Sequence, residues 1–270
     1  MNSTLRKISF LLFCLSSYLP AFSQDFEVAP VDLAFTVDPG GIETKKITVR
    51  NHSNKTQTFT LTMNDVKRDS LGNKQKTAIG NNKRSCAQWM NLNPSFFDLR
   101  PNEEKDISVV MQVPSDGFST RWTMIYVQAA QEQNSVSHAD KTVAAGIIIT
   151  PRIGVKVTQS PKSNVNYKAN IQNLHEITVP TDTLRSFEVK VNNLGDKIID
   201  GYVSLVLSNL ETAQERKLPP SRVSLLPDES RILTLKLPKD VSKAKYALAA
   251  ILDYGHGTSL EGVQMSIEVK

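Results

Sequence analysis

A pattern that the chain uses twice constrains its fold more than any other feature. Residues 92–114 run LNPSFFDLRPNEEKDISVVMQVP, and residues 218–238 run LPPSRVSLLPDESRILTLKLP. Both contain Pro-Ser, a Leu four residues after the Ser, then x-Pro-x-Glu, an alternating apolar run and a closing Pro. The matched residues are Pro94, Ser95, Leu99, Pro101, Glu103 and Pro114 against Pro220, Ser221, Leu225, Pro227, Glu229 and Pro238. An echo precedes each copy. ITVRNHSNKTQTF, ending at Phe59, parallels VKVNNLGDKIIDGY, ending at Tyr202. Each is an alternating strand, an Asn, a tight polar turn and another strand. Alternation rich in Val and Thr is the signature of half-buried antiparallel strands. The chain is therefore one strand-rich module used twice.

The rest of the chain agrees with that unit. Phe26, Val28, Val31, Leu33 and Phe35 predict a first strand broken near Pro30. Arg121–Ala130 predicts a strand apolar on both faces. Strands are expected near Ile171–Val179, Phe187–Val191, Tyr202–Ser208, Ile232–Leu237, Tyr246–Tyr254 and Val263–Val269, with no long amphipathic helix. Short strands at this spacing, separated by Gly, Pro and Asn turns, predict an all-β fold of two tandem immunoglobulin-like β-sandwich domains. Residues 158–170 form the expected linker. Residues 64–84 are polar, basic and punctuated by glycine, which predicts a long mobile hairpin or loop. Ordered sheet is expected to resume from Cys86 to Leu92, with Trp89 facing inward.

The N-terminus predicts export. Arg6 and Lys7 precede an apolar stretch from Ile8 to Leu19, and Ala21 and Ser23 supply small residues before Gln24. This is a secretory signal peptide, too short to span a membrane. The expected organisation is a signal peptide at 1–23, one immunoglobulin-like domain at 24–158 and a second at 159–270. Removing residues 1–23 takes away Arg6 and Lys7 and no acidic residue, so the remaining 247 residues carry a net charge of +3. So small a charge gives no case for nucleic acid as a partner. No later run is long enough for a transmembrane segment. Cys86 is the one cysteine left, so no internal disulfide is possible; its neighbours predict burial.

Catalytic chemistry finds little to stand on. His52, His138, His175 and His256 do not pair at metal-ligand spacing. Ser95 and Ser221 lack the Gly-x-Ser-x-Gly frame of a nucleophile and sit where turns are needed. Asp253-Tyr254-Gly255-His256-Gly257 is a compact polar group at a strand end, where a hairpin requires its glycines. The expectation is a binding protein with no catalytic residues, metal or cofactor.

The longest β-rich run is Val143–Val157. Val143, Ala145, Ile147, Ile149, Ile153, Val155 and Val157 lie on one face; Arg152, Gly154 and Lys156 lie on the other. Pro151 within it predicts an edge position or a bulge, because Pro cannot donate to a ladder.

Together, Val28-Ala29-Pro30, Ile47–Asn51, Trp89–Pro94, Leu99-x-Pro101 and the run ending Pro151–Val157 resemble the PapD-like periplasmic pilus-assembly chaperones. The likeness implies an exported, periplasmic protein that holds fimbrial or other cell-surface protein subunits by lending them the last strand of its first domain. Val143, Ala145, Ile147 and Ile149 would then enter the subunit's groove, with Arg152 and Lys156 as charged contacts in the cleft between domains. That family anchors a subunit's terminal carboxylate with a basic pair. Arg152 matches one member, whereas the first strand offers Asp32 near the place of the other. The chain is also similar to the proteins that accompany WxL surface domains, which implies the alternative of a cell-surface adhesion module binding through residues 64–84.

Overall fold

The computed structural model describes residues 25–130, 150–255 and 260–269. The leader at 1–23, the apolar residues Val143, Ala145, Ile147 and Ile149, and His256 lie outside them. The described chain is all-β. Its first ten strands are β1 (Phe26–Ala29), β2 (Asp32–Phe35), β3 (Ile42–Asn51), β4 (Gln57–Arg68), β5 (Lys74–Thr77), β6 (Met90–Asn93), β7 (Phe96–Leu99), β8 (Glu104–Gln112), β9 (Arg121–Ala129) and β10 (Arg152–Gln159). They make two facing sheets, ordered β1-β3-β8-β6 and β2-β10-β9-β4-β5, with β7 beside β4. The next eight are β11 (Ala169–Glu176), β12 (Arg185–Asn193), β13 (Ile199–Asn209), β14 (Glu215–Lys217), β15 (Ser221–Leu225), β16 (Ser230–Leu237), β17 (Ala244–Asp253) and β18 (Glu261–Val269). They form sheets ordered β11-β12-β16 and β14-β13-β17-β18, with β15 beside β13.

Each set of sheets closes on its own core. In the first module the inward residues of alternating strands meet: Ile47 faces Ile107 across β3 and β8, both fully buried. Phe59 sits at the centre, edge-on to Phe26 at 5.2 Å and stacked on Phe97 at 5.7 Å. Burial of each such ring contributes roughly 1.5–3 kcal/mol. The second core gathers Phe187, Ile199, Leu207, Leu225 and Leu248.

The repeated sequence builds the same corner in both modules. Asn51 ends β3, and its side-chain amide donates to the carbonyls of Lys55 at 2.7 Å and Leu99 at 3.1 Å. Its Oδ1 accepts the Ser53 N–H. Asn193 ends β12 and donates to Lys197 at 2.8 Å and Leu225 at 3.1 Å, while its Oδ1 accepts the Gly195 N–H. A buried Asn thus ties the polar turn to the Leu-x-Pro-x-Glu turn, satisfying carbonyls that would otherwise be buried without partners. Pro101 and Pro227 take the second position of that turn; Asn102 (φ 63°) and Asp228 (φ 65°) take the third, which requires the left-handed region. The glutamate then caps the turn, Glu103 accepting the Arg100 N–H and Glu229 the Leu226 N–H.

Two expectations need correction. Residues 64–84 hold the expected hairpin, but its strands continue the sheet and do not leave it. β4 runs on to Arg68, pairs with β5, and returns through a loop pinned by the buried Asp65, which accepts from Ser85 Oγ and the Gly80 N–H. The chain from Cys86 also does not resume as sheet at once. Ala87–Trp89 is a single 3-10 turn, and the strand begins at Met90. Trp89 is half-buried against the core beneath the Arg121 guanidinium, 4.5 Å from its ring. Cys86 is fully buried, and burial pushes its thiol pKa up, which keeps it a small apolar filler.

Candidate functional site

The first strand changes sheets at Pro30, and this positions the site. β1 pairs antiparallel with β3 in one sheet; past the cis Ala29–Pro30 bond, β2 pairs parallel with β10 in the other. Pro30 brings no N–H to either ladder. β2 covers only the later half of β10, from Lys156 to Gln159. Lys156 N–H bonds Val31 O at 2.9 Å and Ser160 N–H bonds Phe35 O at 3.0 Å. Successive N–H groups along a strand point to opposite edges, so every second one points the same way. The N–H groups of Gly154 and Arg152 therefore point the same way as that of Lys156, beyond the reach of β2. Among the described residues, no strand pairs with this edge from Arg152 to Val155. The other edge is fully engaged by β9.

The residues of the sequence-predicted run divide by face as alternation requires. Val155 and Val157 are fully buried in the first core and Ile153 packs against it. Arg152, Gly154 and Lys156 occupy the outer face, opposite Gln128, Tyr126 and Met124 of β9. β9 is apolar on both sides: Ile125, Val127 and Ala129 enter the core, while Trp122, Met124 and Tyr126 line the outer face. Lys156 is ion-paired with Asp32 at 2.6 Å. The acidic residue found where a second basic anchor was sought thus neutralises the first-module lysine beside it. Arg152 has no carboxylate among the described residues and lies instead over the Tyr126 ring, 4.7 Å from its centre.

The lower end of this face meets the second module. The positive charge of Lys156 reaches Asp200, whose carboxyl is held below its ordinary pKa chiefly by the hydrogen bond from Arg222. Two arginines of the first module then clasp the second. Arg68, at the end of β4, makes a two-toothed ion pair with Glu229, Nε to Oε1 at 2.9 Å and NH2 to Oε2 at 2.8 Å. Both side chains are largely buried, at 23% and 9% exposure. Arg84 bonds Asp228 through Nε at 2.7 Å, and Asp196 through NH1. Burial acts to lower the Arg84 pKa, but the hydrogen bonds that it donates to Asp228 and Asp196 outweigh this and the net shift is upward. The same bond holds the Asp228 carboxyl below its ordinary value. The β4–β5 tip adds a main-chain bond, from Ile232 N–H on β16 to Ser70 O.

The sequence pattern did not disclose this clasp, since its partners stand far apart in the chain and carry no periodicity. The linker shares in it: Asn164 donates to Asp196 at 2.6 Å, and Lys197 donates to Pro161 O at 2.8 Å. Among the described residues no cluster of His, Cys, Asp and Glu is arranged to hold a metal ion, and no helix is long and apolar enough to cross a membrane.

An Fn3-like domain family matches residues 41–127, within the first module. No curated protein matches the sequence. Among solved structures, a chain of a chaperone–tip adhesin complex of CFA/I fimbriae biogenesis is similar over 91% of this chain and 100% of its own, at 12% identity and a TM-score of 0.50. The class 5 fimbriae chaperone CfaA covers 91% and 99% at 12% identity, with a TM-score of 0.45. A chain of the CsuC–CsuE chaperone–tip adhesion subunit complex of Acinetobacter baumannii covers 89% and 98% at 9% identity, with a TM-score of 0.46. The fold is that of the PapD-like fimbrial chaperones.

Proposed function

We propose that this chain is an exported, non-enzymatic binding protein of the periplasm that holds protein subunits of the cell envelope or fimbriae by β-strand addition. In this reading residues 24–158 and 159–270 are two domains behind a cleaved signal peptide, and Val143–Val157 is the donor strand. The observation that carries it is the open edge of β10. Among the described residues the N–H groups of Arg152 and Gly154 have no strand partner, and β2 stops short of them. An open edge offers main-chain hydrogen bonds to an incoming strand, and alternate side chains supply the selectivity. Val143, Ala145, Ile147 and Ile149 would fill the client's groove, with full burial of each larger side chain contributing roughly 1.5–3 kcal/mol before ordering costs. Arg152 and Lys156 would flank the cleft. The chaperone–tip adhesin complex that shares the fold joins a chaperone to a fimbrial protein subunit, which supports a protein subunit as partner. The adhesion alternative needs residues 64–84 free, whereas their tip is engaged by Glu229 and Ile232.

The test is affinity capture of the mature protein from periplasmic extract, with partners identified by mass spectrometry. Envelope or fimbrial subunits are expected with the wild type and lost with Ile147→Asp, at an unchanged melting temperature. Equal capture by Ile147→Asp would overturn strand donation.

A further inference from the structure

Tyr126 stands on the outer face of β9 with a cation on each side. Arg152 reaches it from β10 at 4.7 Å, and Lys76 reaches it from β5 at 5.1 Å from the ring centre. The strand order β10-β9-β4-β5 brings the two cations in from opposite sides. Gly154 makes room for the arrangement: a Cβ there would lie 2.9 Å from Met124 Cε and 3.3 Å from Tyr126 Cε1. Several other cations around this face and the junction have carboxylates: Lys156 has Asp32, Arg68 has Glu229, Arg84 has Asp196 and Asp228, and Arg222 has Asp200. Among the described residues neither Arg152 nor Lys76 has one. The two cations share one ring without a carboxylate between them, and an aromatic face positions cations without neutralising them.

We infer that the Lys76–Tyr126–Arg152 stripe is a binding site for an acidic stretch of polypeptide, lying across this face beside the strand that adds to β10. The inference rests on the strand-addition reading for where the client runs, and it adds what the client must carry there. Glutamate or aspartate side chains would meet the guanidinium in two-pronged geometry and the ammonium as a point charge.

The test uses the full mature chain and fluorescence anisotropy. The probes are a labelled ten-residue peptide of alternating Glu and Thr, and its counterpart with Gln for Glu. The Glu peptide should bind more tightly than the Gln peptide and weaken as salt rises. Arg152→Gln and Lys76→Gln should each weaken the Glu peptide by about tenfold, the scale of one close charge pair at an interface. Tyr126→Leu should weaken it less, since both charges remain. Lys105→Gln, which removes a cation over Phe97 elsewhere on the module, should leave binding unchanged. Equal affinity for the two peptides, or an equal loss with Lys105→Gln, overturns the inference. If Ile147→Asp abolishes subunit capture while Arg152→Gln and Lys76→Gln leave the Glu peptide bound, strand addition stands and the stripe falls. If the stripe variants lose the Glu peptide while Ile147→Asp captures subunits normally, the stripe stands and strand addition falls.

Discussion

The two copies of the Asn corner share a frame and differ in what they face. Both hold a buried Asn, a Leu carbonyl and a Pro-x-Glu turn in matching hydrogen bonds. In the first copy the intervening positions are Asn54 and Asn102, and Glu103 is exposed. In the second they are Asp196 and Asp228, and with Glu229 they receive Arg84 and Arg68. The frame residues recur because any module of this kind must satisfy the same buried groups. The positions that the frame leaves free carry the charges that join one module to the other. A repeat in sequence can therefore mark a structural necessity, while the function sits in the places where the copies part.

That comparison can be broken at its common frame first. Asn51→Ala and Asn193→Ala should cost about 2–3 kcal/mol each, because each strands buried carbonyls. Calorimetry should show similar losses, each in its own module. A large loss in one copy and none in the other would mean that the corners are alike in shape but not in energy. The next effect belongs to the second copy. Arg68→Ala leaves Glu229 largely buried without its cation and should cost about 2 kcal/mol, discounted from a fully buried pair because Arg68 keeps some solvent contact. Glu103→Gln, at the equivalent site of the first copy, should be near neutral by the same melting assay.

A pH titration sharpens the contrast. The Asp228 carboxyl is depressed by Arg84, so its contribution is present above the unfolded value near pH 4 and is lost as pH falls through the lower folded value. Small-angle scattering should show the module arrangement constant from about pH 7 to 4 and loosening below. Asp228→Asn should remove that part of the pH dependence. The smallest effect is expected from Asn102→Asp, which plants the second copy's charge in the first. Asp tolerates the left-handed backbone, and among the described residues no arginine is clasped there, so the change should stay within about 0.5 kcal/mol.

Much of the frame was legible in the sequence. The doubled Leu-x-Pro-x-Glu pattern located both corners, the Pro30 break located the switch between sheets, and alternation assigned Val155 and Val157 inward and Arg152 and Lys156 outward. Period-two patterning reports which face a residue takes, and it did so here. It says nothing of what lies opposite on the outer face. Asp32 beside Lys156 and Tyr126 beneath Arg152 are set by strand register across separate segments. Residues 64–84 seemed free because polar, basic sequence is also what an ionic interface looks like when its acidic half lies far along the chain. The 3-10 turn at Ala87–Trp89 was hidden by an apolar spacing that a strand would share.

The central claim is that the edge of β10 receives a client strand, and residue-resolved amide hydrogen exchange on the captured complex tests it most directly. In the free protein the Lys156 and Ser160 amides, bonded to Val31 and Phe35, should exchange slowly, and those of Arg152 and Gly154 quickly. In the complex, Arg152 and Gly154 should become slow as well. Rapid exchange of both in a fully formed complex would contradict strand addition.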